Sequence, residues 1–153
     1  MKKFELTSET KINIFGKKLF RIKALVSFGV VKTGETGGWV EKEENVNQSG
    51  DAWVFGNAEV FGNARVSGDA RVFDNAEVSG NADYTTIHGF GTQFRTTTFF
   101  RCKDKQVKVS CGCFYGTIPE FREQVKNTRD GKIAEEYLMI ADLMEKHFAE
   151  EAK

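Results

Sequence analysis

Between Trp53 and Tyr84 the chain repeats one unit every six residues, WVFGNAEVFGNARVSGDARVFDNAEVSGNADY. Val54, Val60, Val66, Val72 and Val78, then Tyr84, hold one phase; Ala58, Ala64, Ala70, Ala76 and Ala82 hold a second, four residues after each valine. Six is neither the helical period nor that of an alternating strand, so the stretch reads as an array. A short extended piece such as Glu59-Val60-Phe61 turns its valine to one side and its neighbours to the other. A Gly-Asn or Gly-Asp pair then tolerates the positive φ of a tight corner, and alanine is small enough to sit inside it. One unit cannot bury its valine alone, whereas stacked units share a narrow apolar core.

This pattern resembles the hexapeptide-repeat proteins, in which three units make one triangular coil of a left-handed parallel β-helix. The valines and alanines fit that family's unit, while Phe or Ser stands where the family has Gly, and the Gly follows one position later. The whole chain is also similar to short bacterial and phage or prophage proteins. These share an opening like MKKFELT…LFRIKAL…GETGGWVE, then hexapeptides, then TTTFF…VSCGCFYGTIPEF. The resemblance implies an accessory protein of a mobile element, acting in the cytoplasm of a bacterial host. Small phage proteins of this kind often sequester host components, including nucleotide signals of antiviral defence. A threefold homo-oligomer is also implied, since β-helices of the hexapeptide family commonly associate as trimers.

The flanks read as covers for the ends of such a core. Phe4 and Leu6, Ile12 and Ile14, and Phe20, Ile22, Ala24 and Val26 alternate with polar residues, which predicts strands joined by a turn at Gly16-Lys17-Lys18. After Tyr84 the repeat decays into a loop, then strands at 96–101 and 106–110. Thr117-Ile-Pro-Glu120 is a capping box that opens a helix to about Asn127, and a second helix runs from Lys132 to about Ala149. The expected fold is therefore mainly β: an N-terminal β-strand cap over 1–38, a short left-handed β-helix over 39–84, and a C-terminal α+β cap ending in two helices over 85–153.

Twenty-two basic residues against twenty-two acidic ones leave no basic footprint, which argues against direct nucleic-acid binding. No long apolar run exists and the opening MKKFELTSET lacks a hydrophobic signal core, so neither membrane insertion nor secretion is expected. Three cysteines, an odd number, point to a reducing compartment.

Residues eighteen apart stack if three units make a coil. That sets Trp53 beside Arg71, Phe55 beside Phe73 and Glu59 beside Glu77. Trp53, Phe55, Arg71 and Phe73 then form an outward aromatic face with the composition of an oligomer interface, open to a second copy, to the chain's own caps or to a foreign partner. The Glu59–Glu77 pair reads as exposed carboxylates meeting water or an arginine from a partner.

The stretch HGFGTQFRTTTFFR is the most ligand-like. Backbone amides around Gly89 and Gly91, with Thr92, Gln93, Arg95, Thr96, Thr97, Thr98 and Arg101, suit a phosphate, and Phe90 or Phe94 can stack on a base. His88 completes this set, and it is the one candidate base if the chain is an acyltransferase of the hexapeptide type. Its competing reading is a glycine loop entering a threonine-rich edge strand. Cys111 and Cys113, with Cys102 on the facing strand, lack a second paired motif and read as reduced thiols, so no metal site and no cofactor are expected. The functional expectation is a non-catalytic, homo-oligomeric binding protein that captures a small phosphorylated or nucleotide-like ligand. The alternatives are an inhibitor or adaptor of a host protein, and an acyltransferase.

Overall fold

The computed structural model describes residues 2–80, 83–112 and 114–149. Its first element is a hairpin of β1 (Phe4–Ile12) and β2 (Lys18–Ala24), paired antiparallel. Asn13 closes the turn: its Oδ1 accepts from the Phe15 and Lys17 amides, both at 3.0 Å. β3 (Thr36–Val40) pairs antiparallel with the other edge of β2. Four two-residue strands follow, β4 (Trp53–Val54), β5 (Glu59–Val60), β6 (Arg71–Val72) and β7 (Glu77–Val78). Then come β8 (Tyr84–Phe90), β9 (Arg95–Arg101), β10 (Val107–Cys111) and β11 (Phe114–Thr117), and the helices α1 (Ile118–Thr128) and α2 (Gly131–Phe148).

These strands make three small sheets. One is mixed, in the order β1-β2-β3-β5-β7; one pairs β4 with β6; one is antiparallel, in the order β11-β10-β9-β8. The chain is thus mainly β, and it is not a left-handed parallel β-helix, which corrects the expected fold. The parallel pairings among the described residues are each two residues long, Trp39-Val40 on Glu59-Val60, Glu59-Val60 on Glu77-Val78 and Trp53-Val54 on Arg71-Val72, with a single parallel bridge from Val46 to Val66. They are outweighed by long antiparallel strands on both flanks, and the first of these flanks continues the same sheet. A six-residue period specifies corners and inward valines; it does not specify which edge each short strand meets.

The repeat's side chains nonetheless build the larger core. Val46, Val54, Val60, Val66, Val72 and Val78 are buried together with Ala52, Ala58, Ala64, Ala70 and Ala76. Ala82 lies outside the described residues. Phe4 and Ile22 from the hairpin and Phe100 and Cys102 from β9 and its following turn join the same cluster. One apolar core thereby draws on 1–38, 39–84 and 85–153. Gly38 allows the close approach of β3: a Cβ there would lie 2.7 Å from the Ala58 carbonyl oxygen and 2.7 Å from Val54 Cγ1. A second core lies between the antiparallel sheet and the helices, around Phe99, Val109, Phe121, Tyr137 and Met144.

Polar groups stitch the flanks to the repeat. The buried ammonium of Lys3 donates to the Ala52 carbonyl at 2.8 Å and the Gly50 carbonyl at 3.1 Å. Burial pulls its pKa down to about 8, against the opposing pull of Asp51. Glu59 is buried too, 2 % exposed, rather than meeting water or a partner as expected. Its Oε2 pairs with Lys11 and with Lys103, each at 2.9 Å.

The expected aromatic interface is also corrected in its anchor residue. Trp53 is 1 % exposed, packed edge-on against Phe4 and Phe28, so it has no surface to offer a second chain. Phe55 and Phe73 pack as a tilted pair with centroids 5.4 Å apart, and Tyr115 of β11 meets Phe73 edge-on at 4.8 Å. Phe55 and Phe73 remain half-buried.

Candidate functional site

A cleft of about 250 Å³ opens where the antiparallel sheet meets β6. Alternation along β9 sends Thr96 and Thr98 to the side of the repeat, and Thr97 and Phe99 to the side of the helices. The register extends the polar row, because Thr98 faces Ser110 of β10 and Thr96 faces His88 of β8. Thr98 Oγ1 accepts the backbone N–H of Arg71 at 3.2 Å, which docks the sheet on β6 and brings Arg71 to the cleft wall. His88 Nδ1 lies 2.8 Å from Thr96 Oγ1.

Arg95 forms the next part of the wall. Its Nη2 donates to Gln93 Oε1 at 2.5 Å, and its guanidinium passes over Gly112. Gly112 has φ +58, and a Cβ built there would fall on the guanidinium itself. Glycine at this corner is therefore what lets Arg95 reach the cleft. Among the described residues neither Arg71 nor Arg95 lies within ion-pair distance of a carboxylate. Phe94 stands at the rim, 65 % exposed and at φ 53.

The residues predicted for a ligand are thus divided. His88, Arg95, Thr96 and Thr98 meet in the cleft. Gly91, Thr92 and Gln93 lie behind Arg95, lining a smaller cavity of about 160 Å³ with Arg129 and Tyr137. Thr97 is buried on the opposite side of the sheet, where its hydroxyl donates to Cys111 Sγ at 3.2 Å. Arg101 is at the far end of β9, bound to Asp83 at 3.3 Å and to the Phe148 carbonyl at 3.2 Å.

Four lining residues carried no functional weight in the sequence: Asp51, Asp69, Ser110 and Gly112. Arg71 was expected to flank an interface and instead lines the cleft. A signal for the aspartates does exist. Three corners of the repeat are Gly-Asn, whereas Gly50-Asp51 and Gly68-Asp69 carry a charge at the same place on neighbouring rungs.

Cys102 is buried and its thiol is pushed up to about 12 by that burial and by Asp104. Cys113 lies outside the described residues. Among the described residues no group of three His, Cys, Asp or Glu side chains is placed to hold a metal. No helix among them is long and apolar enough to cross a membrane.

No protein-family model matches the chain, and no curated protein matches it. The resemblance to hexapeptide-repeat and phage-type proteins is therefore corrected on two grounds: no family is found, and the sheets are mixed and antiparallel.

Proposed function

We propose that the chain is a non-catalytic binding protein whose cleft between β6 and the antiparallel sheet holds a small phosphorylated or nucleotide-like ligand. The observation that carries this reading is the pair Arg71 and Arg95, which share one cleft with no carboxylate partner among the described residues. A guanidinium presents a planar fork of donors matched to phosphate oxygens. The hydroxyls of Thr96, Thr98 and Ser110 line the same cleft as further donors, and Phe94 adds an exposed ring, a surface suited to stacking on a base. His88 leans on a threonine hydroxyl rather than on a carboxylate, which favours holding a ligand over activating one.

Isothermal titration of the protein with inorganic phosphate and with AMP tests the reading. Replacing both arginines (Arg71→Ala with Arg95→Ala) removes two charge-assisted contacts, so affinity is expected to fall by about tenfold or more for each. Binding that survives unchanged in the double variant would defeat the assignment.

A further inference from the structure

The cleft is not simply basic. Asp51 and Asp69 line it together with Arg71, His88 and Arg95. The Asp51 amide donates to the Gly68 carbonyl at 3.1 Å, which sets the two aspartates on adjoining rungs of the repeat. Among the described residues neither carboxylate takes part in an ion pair, although Asp69 is only two positions from Arg71. The ammonium of Lys3, on which the charge of Asp51 acts, is bound to the Gly50 and Ala52 carbonyls. Opposite charges in one cleft, unpaired with each other, form a dipole whose two ends are both available.

Such an arrangement selects against a bare anion. Each carboxylate repels a phosphate charge held in the same cleft, against what the arginines contribute. A ligand that turns hydroxyl donors toward the aspartates converts the same charges into acceptors of strong hydrogen bonds. Size narrows the choice further. About 250 Å³ is below the roughly 300–1,000 Å³ usual for drug-sized ligands. That space suits a phosphate joined to one sugar, with any base left outside the cleft beside Phe94.

Resting on the binding function proposed above, we infer that the ligand is a phosphorylated sugar unit, its phosphate held by Arg71 and Arg95 and its hydroxyls by Asp51 and Asp69. The unit is either a free sugar phosphate or the ribose phosphate of a nucleotide.

Titrations of the wild-type protein with inorganic phosphate, ribose 5-phosphate and AMP, repeated on an Asp51→Asn, Asp69→Asn double variant, test this. Both aspartates are exposed, so the amides leave the core untouched, and an unchanged melting curve checks that the variant is folded. Ribose 5-phosphate is expected to bind at least about tenfold tighter than inorganic phosphate to the wild type. In the double variant that ratio should collapse toward one, while phosphate itself binds as tightly as before or more tightly. A further gain for AMP that disappears in Phe94→Ala identifies the source as a nucleotide; no gain identifies a sugar phosphate. Equal binding of phosphate and ribose 5-phosphate to the wild type, or a ratio that survives the double substitution, overturns the inference and leaves the phosphate site standing. No binding of any of the three overturns both.

Discussion

The indole of Trp53 meets Phe4 at 5.7 Å and Phe28 at 5.2 Å between ring centroids, both edge-on. Three rings from two parts of the chain thus close one end of the core, with the ammonium of Lys3 lying 4.5 Å over Phe28. Alternation alone would turn Trp53 outward, since Val54 beside it points in. Both faces of β4 are buried, however, because the N-terminal hairpin lies over the second one. Trp53→Ala is therefore expected to cost about 3–5 kcal/mol of stability by leaving a cavity under Phe4. A melting curve measures that loss. Native mass spectrometry should find the same oligomeric state in variant and wild type, which a tryptophan at an interface would not allow.

Among the elements, those defined by local chemistry were the ones legible in advance. The hairpin was legible, although its turn spans 13–17 rather than 16–18 because Asn13 closes it, and so was α1 through its capping box: Thr117 Oγ1 accepts from the Glu120 amide at 3.3 Å while Glu120 accepts from the Thr117 amide at 2.9 Å. The Thr117 amide, and the Thr117 hydroxyl that donates to Glu120 Oε1 at 3.0 Å, hold the Glu120 carboxyl below its ordinary range. Thr117→Ala should accordingly lower stability by about 1 kcal/mol, read as a shift of the urea midpoint, with Thr117→Ser retaining most of the wild-type value. The short strands of the repeat were not legible in the same way. A strand of two residues carries too little pattern to choose its neighbour, so sheet order is decided by contacts distant in sequence, such as β5 with β3. The cleft shows the same division. His88, Arg95, Thr96 and Thr98 sit in one hairpin and could be found together, whereas Asp51, Arg71 and Ser110 reach them only through tertiary pairing.

At the scale of the whole molecule, Glu59 joins all three stretches of chain: it lies in β5, Lys11 in β1, and Lys103 in the turn after β9. Burial pushes its carboxyl up, but the bonds and charges of Lys103 and Lys11 outweigh this and leave its pKa lowered. Glu77, its neighbour in the sheet, is raised instead, by burial and by the charge of Glu59. Its Oε2 is buried without a hydrogen-bond partner among the described residues. The two groups therefore act oppositely on stability. What Glu59 contributes is present above the unfolded carboxyl value of about 4.3 and is lost as pH falls through its lower folded value. The penalty from Glu77 is absent at low pH and grows as pH rises through about 4.3 to its higher folded value. Glu77→Gln should stabilise the protein at pH 7 by a few tenths of a kcal/mol and up to about 1, discounted for solvent screening. Denaturant titrations of the pair should converge below about pH 4.

The seam that holds this assembly together also orders its birth. Ala76 bridges Cys102, and the Lys103 amide donates to the Asn75 carbonyl at 3.0 Å, so the last rung is closed by a turn that follows it by more than two dozen residues. A chain emerging from the ribosome lays β5 on β3 and β7 on β5, each on an edge already made, in the sheet that begins with the hairpin. Until the turn at 102–105 arrives, the newest rung presents an open edge to anything extended that passes. The growing array thus carries its own terminator downstream, and the interval between the two is the time in which a nascent copy is most exposed to pairing with another.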